Sequence, residues 1–89
     1  MNDNFLDIIS HSDQISSIDL HTFLDPHEAL EFLNSELYRL FTTGEKYVRI
    51  IHGIGAGVLK TRVHDELSGN NMIQKYKLEP HGGATIVQF

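Results

Sequence analysis

The sequence predicts an α+β fold, a two-layer sandwich in which two helices cover one face of a small mixed sheet. Three observations carry that prediction. Strand-like and helix-like periodicities alternate from residue 16 to residue 80, and such alternation builds parallel strands joined by crossover helices. The last two strand-like segments are separated only by HGG at 81–83, too short for a crossover, so they pair antiparallel. The chain of 89 residues has room for one domain with a short extension.

The elements follow in order. Residues 1–17 read as a separate N-terminal piece, with Phe5, Leu6, Ile8, Ile9 and Ile15 as its apolar content and an amphipathic helix expected near 3–10. Such an arm is suited to covering a bare sheet face, to docking on a partner or to self-association. The domain proper is read as 18–89. In SSIDLHT (16–22), Ile18 and Leu20 alternate with Asp19 and His21, the pattern of a strand. DPHE (25–28) starts a helix: Asp25 is the N-cap, Pro26 takes the first helical position, and Glu28 is placed for a capping box. Ala29, Leu30, Leu33, Leu37, Leu40 and Phe41 continue at helical spacing until about Thr43, with Gly44 as the stop. KYVRIIH (46–52) is a nearly continuous apolar run, as a central parallel strand requires. Val58, Leu59, Val63 and Leu67 mark a second helix, ended by SGNN (68–71). MIQKYKLEP (72–80) alternates apolar with charged residues and suits an edge. ATIVQF (84–89) is apolar and belongs inside. The order is βαβαββ.

Composition narrows the function classes. There is no cysteine, which excludes disulfides, iron–sulfur clusters and thiolate zinc sites. No apolar run is long enough to span a membrane. The start, MNDNFLDIIS, is acidic and lacks a small-residue cleavage site, which argues against a secretory signal and for a cytoplasmic protein. The net charge of −5 is unevenly spread. Residues 1–45 hold nine acids and one base, whereas residues 46–89 hold six bases and three acids. The chain as a whole is not a strongly basic nucleic-acid binder, but its second half is locally basic.

Topology gives the polar residues a common address. In open α/β sheets ligands bind at the C-terminal ends of parallel strands. His21 is expected to end the first strand, His52 the second, and His81 to follow the third. Asp19 and His21, two apart on a strand, share a face. A carboxylate beside an imidazole fixes its tautomer and makes it a candidate general base or acid; the bland reading is a loop-capping aspartate beside a structural histidine. The run HGIGAGVLK (52–60) opens the second helix. Free amides at a helix start favour an anion, and Lys60 and Arg62 add charge. The run matches neither the dinucleotide nor the P-loop glycine pattern, so an anion site and a structural turn both stay open. His21, His52, His81 and Asp19 also raise a divalent metal, but no local ligand spacing supports one; no cofactor is expected. His11, His27 and His64 read as surface residues.

Together, IDLH (18–21), HGIGAGVLK (52–60) and GGATIVQF (82–89) resemble the three signatures of the small MutS-related (Smr) domain family: LDxH, HGxGxGxL and a closing GG-x-T-x-V strand. The resemblance covers 18–89. It implies a sandwich similar to the C-terminal domain of translation initiation factor three, with a four-stranded mixed sheet in the order 1-2-4-3 and strand 4 antiparallel. It also implies nucleic-acid binding (DNA or RNA), with nicking or RNA-cleaving endonuclease activity in several members. The LDxH residues correspond to Asp19 and His21, and the HGxG residues to His52, Gly53, Gly55 and Gly57. The chain departs from the family where a glycine often follows the LDxH histidine, here Thr22, and where a basic residue and a hydroxyl often stand in the glycine motif, here Ile54 and Ala56.

The leading expectation is therefore a nucleic-acid-binding domain that hydrolyses a phosphodiester. Asp19, His21 and His52 would carry the chemistry, and Gly53, Gly55, Gly57, Lys60 and Arg62 would hold phosphate. A non-catalytic nucleic-acid-binding module and a protein-interaction module docking through residues 1–17 stand beside it.

Overall fold

The computed structural model describes residues 15–55 and 57–89. The elements are β1 (Ser16–Asp19), α1 (Pro26–Thr42), β2 (Tyr47–Ile51), α2 (Val58–Ser68), β3 (Lys75–Leu78) and β4 (Ala84–Gln88). The arm expected at residues 1–17 lies, up to residue 14, outside the described residues; Ser16 and Ser17 belong to β1.

The sheet order is β1-β2-β4-β3. β1 pairs parallel to β2, with Ile18 beside Ile50. β4 runs antiparallel to both its neighbours, setting Thr85 beside Ile50 on one side and beside Leu78 on the other. The charged KYKL segment takes an edge and the apolar ATIVQ segment the interior. This is the expected arrangement: an interior strand is paired along both edges, and an edge strand can spend its alternate residues on solvent.

Strand alternation decides which side chains meet the helices. Ile18, Val48, Ile50 and Val87 share one face and join Ala29, Leu33, Leu37 and Leu40 of α1 and Val63 and Leu67 of α2 in a single buried cluster. Both helices therefore cover the same face. The start of α1 is fixed as its sequence demands: Asp25 Oδ1 accepts the His27 amide at 3.0 Å, and Pro26 occupies the first turn. Its end turns at Gly44, whose φ of +88° lies in the left-handed region. On the opposite face Arg49 Nε donates to Glu79 Oε1 at 2.7 Å, bridging β2 and the end of β3. Among the described residues no helix is long and apolar enough to cross a membrane.

One element differs from expectation. β1 ends at Asp19, so His21 lies beyond the strand rather than at its end. The Leu20 amide still donates to the Ile51 carbonyl at 2.7 Å, but the Phe23 amide then closes back on the Leu20 carbonyl at 3.1 Å. That turn releases His21 from the pleat and swings it into the loop at the sheet edge.

Candidate functional site

Because β1 and β2 are parallel, they deliver their chains to the same edge. At the end of β1, Asp19 Oδ1 accepts the backbone amide of His21 at 3.0 Å and lies 2.5 Å from the ring Nδ1. The carboxylate cannot donate, so Nδ1 carries the proton and Nε2 is the nitrogen left to face a ligand. The two side chains are 54% and 49% exposed, open enough for a ligand to reach. The hydrogen bond from His21 holds the Asp19 carboxyl below its usual range, so it remains ionised throughout the neutral region.

At the end of β2 the amides of His52 and Gly53 both donate to one acceptor, the Gly83 carbonyl, at 3.1 and 2.9 Å. The chain then passes through left-handed glycines. Gly53 has φ +83°, and a Cβ there would stand 3.5 Å from Cβ of His21. Gly57, also at φ +83°, is the N-cap of α2 and makes no side-chain cap bond. The amides of the first turn are therefore not consumed by a capping side chain. The result is a cavity of about 340 Å³ lined by His21, His52, the glycine loop and the first turn of α2, including Lys60.

The cavity thus brings together His21, His52, Gly53, Gly55, Gly57 and Lys60, with Asp19 behind His21. It leaves out Arg62, which lines an adjoining cavity of about 300 Å³ with Gly57, Val58 and Thr61. His81 does not line it either; its Nδ1 accepts the Gly83 amide at 3.0 Å, and its Nε2 lies 3.9 Å from Glu79 Oε1. Among the described residues no cluster of three or more His, Asp or Glu side chains is placed to hold a metal ion.

His64 is not the surface residue its position suggested. It is half-buried, and its Nε2 lies 2.7 Å from Thr85 Oγ1, while His52 Nε2 lies 2.9 Å from the same oxygen. His52 Nδ1 is 3.0 Å from the Gly53 carbonyl, which can only accept. With Nδ1–H donating there, a neutral His52 has Nε2 as an acceptor, which the Thr85 hydroxyl fills. The same oxygen then accepts Nε2–H of His64. This directed chain runs from α2 through β4 to the loop after β2, and it occupies both ring nitrogens of His52. Thr85, inside the closing-strand signature, and His64, one residue after the core position Val63, carried no individual sequence signal beyond the face on which periodicity sets them.

Burial lowers the pKa of His52, and the charges of Lys60 and His81 push it the same way. Burial likewise lowers that of His64, with His52 and Lys60 adding to it. In the unfolded chain both imidazoles take up protons near about 6.5. The folded chain resists, so acid favours unfolding. Stability is expected to be complete above that value and to fall as pH drops below it. Melting curves between about pH 7.5 and about pH 5 should show a loss of several degrees, since 1 kcal/mol shifts Tm by about 4–8 °C at this size. A flat Tm across that window would contradict the neutral chain.

Sheet order, glycine loop and paired Asp–His together define a class of small α+β domain. The chain belongs to the Smr domain family, whose model matches residues 18–89. It is similar to the endonuclease MutS2 of Clostridium botulinum (strain ATCC 19397 / Type A), 35% identical over 77 residues, covering 82% of this chain and 10% of that protein. It is similar also to the endonuclease MutS2 of Aquifex aeolicus (strain VF5), 34% identical over 67 residues, covering 71% of this chain and 9% of that protein. The chain thus spans about a tenth of the length of the curated relatives it matches. The crystal structure of the Smr domain of Thermus thermophilus MutS2 superposes with a TM-score of 0.77 at 26% identity, covering 83% of this chain and 96% of that domain.

Proposed function

We propose that this domain binds nucleic acid through a backbone phosphate held at the glycine loop and cleaves the adjoining phosphodiester. One observation carries the reading: His21, held by its hydrogen bond to Asp19, lines the same cavity as Gly53, Gly55, Gly57 and Lys60. The endonuclease names of the relatives support it. The free amides of the α2 start and the Lys60 ammonium would neutralise the phosphate oxygens. His21 Nε2 would take the proton of the attacking hydroxyl, from water or from a ribose 2′-hydroxyl. As the new P–O bond forms, the bond to the leaving oxygen breaks, and that oxygen takes a proton from solvent. Asp19 would hold the tautomer and balance the imidazolium. His52, through its bond to the Gly53 carbonyl, would set the shape of the loop.

A supercoiled plasmid and a single-stranded RNA offered to the domain test this directly; at least one should be cut. Binding should weaken with salt along a shallow log–log slope, about −1.4 for two phosphates contacted on a single strand, as Lys60 and Arg62 supply two cations. Neither cleavage nor binding at low salt would end the proposal. Binding without cleavage would favour the second reading, a non-catalytic binding module. That reading has one observation of its own: both ring nitrogens of His52 are occupied, so among the described residues His21 is the one cavity-lining imidazole that offers a ring nitrogen to a ligand.

A further inference from the structure

One cation, Lys60, and exposed apolar side chains share the lining of the cavity. Ile54 and Val58, on the loop and the first turn of α2, both line it, and they are 67% and 55% exposed. Leu24, in the loop that follows His21 at the same sheet edge, is fully exposed. Single exposed apolar side chains need no explanation. Here, though, two of the large ones line one cavity together, and a third stands on the loop that follows His21. Ile54 is not loosely placed, because it stands between two left-handed glycines and its Cγ1 would lie 3.4 Å from a Cβ on Gly83. Val58 separates two cavities, one with Lys60 and one with Arg62 and Thr61. The first, at about 340 Å³, is within the size range of pockets that enclose a small organic ligand and is roomier than a phosphate group needs.

Resting on the phosphate reading above, we infer that the ligand is single-stranded or locally unpaired nucleic acid, with an unstacked base lying on Ile54 and Val58 beside the bound phosphate. A base inside a duplex keeps its faces against its neighbours and presents a protein with edges that are polar apart from the thymine methyl. An apolar rim gains little from it. An unpaired base has a free face, and contact with that face does not depend on its sequence. The two cavities on either side of Val58 give the strand two cationic stations, so the base between them is directed at the rim.

The test is anisotropy titration, at low salt, of a labelled oligothymidine against the same length of strand locked in a duplex. Wild-type protein is compared with Ile54→Ser/Val58→Ser and with Ile54→Lys, each checked by thermal melting. The wild type should prefer the single strand by about fivefold or more. The double serine variant should lose that preference, its single-strand affinity falling by a similar factor. Ile54→Lys should move binding toward duplex and steepen the salt slope by about 0.9. Equal wild-type affinity for both forms, or single-strand affinity unmoved by the serine pair, overturns this inference and leaves phosphate binding standing; the latter result is also what a rim built for a protein partner would give. No binding to either form by the wild type overturns both.

Discussion

His21→Ala is expected to lower phosphodiester cleavage by about 10²–10⁴-fold, the span over which a positioned general base contributes. Melting temperature and affinity for the uncut strand should hardly change. The side chain is half-exposed and belongs to no core contact, so its removal leaves no cavity and no orphaned buried group. Asp19→Ala acts one step back. It leaves Nδ1 without its acceptor, frees the ring to rotate or change tautomer, and should cost about 10–100-fold, as loss of an orienting partner commonly does. The Asp19 carboxyl is held ionised by its hydrogen bond with His21, so acidification within the neutral range should not reproduce that loss. Combining the two changes should cost no more than His21→Ala alone, because Asp19 acts through the ring it orients. Cleavage unchanged in both single variants would remove the mechanism while sparing the binding function.

The second large effect is on stability. Thr85→Val keeps shape and volume but deletes the hydroxyl between His52 and His64. His52 is only 4% exposed, and its Nε2 would lose the donor that Thr85 supplies. A buried polar group left unsatisfied costs about 1–3 kcal/mol. Taking about 2 kcal/mol as the centre, Tm should fall by roughly 8–16 °C. Thr85→Ser restores the hydroxyl and should recover most of the loss, which separates the hydrogen bonds from packing. If valine and threonine melt within a degree or two of each other, the chain from α2 to the glycine loop contributes no stability.

Much of the fold is legible in the sequence. The alternation of elements, the short HGG connection and the contrast between charged KYKL and apolar ATIVQ lead to a mixed sheet with its polar strand on an edge. Once β1 and β2 are parallel, Asp19, His21 and the glycine loop must meet at one edge. Arg62 shows where closer reading would have gone further: it is two residues from Lys60 on a helix, and residues so spaced do not face each other. The His64–Thr85–His52 chain was not legible. It joins side chains 21 and 33 residues apart through one hydroxyl, and periodicity reports the face a residue takes, not which partner it finds there. The early end of β1 escaped for a similar reason, because alternation continues through Leu20 and His21 while the backbone turns away.

The separate origin of the two loops at the sheet edge has a consequence for descent. Asp19 closes β1 and His21 stands in the turn after it, while the glycine loop follows β2. If the proposed function holds, drift at position 19 or 21 would bear on hydrolysis, and drift at position 54 or 58 on what is held. On the proposed function, cutting and holding would therefore be open to change one at a time, through different residues on different loops.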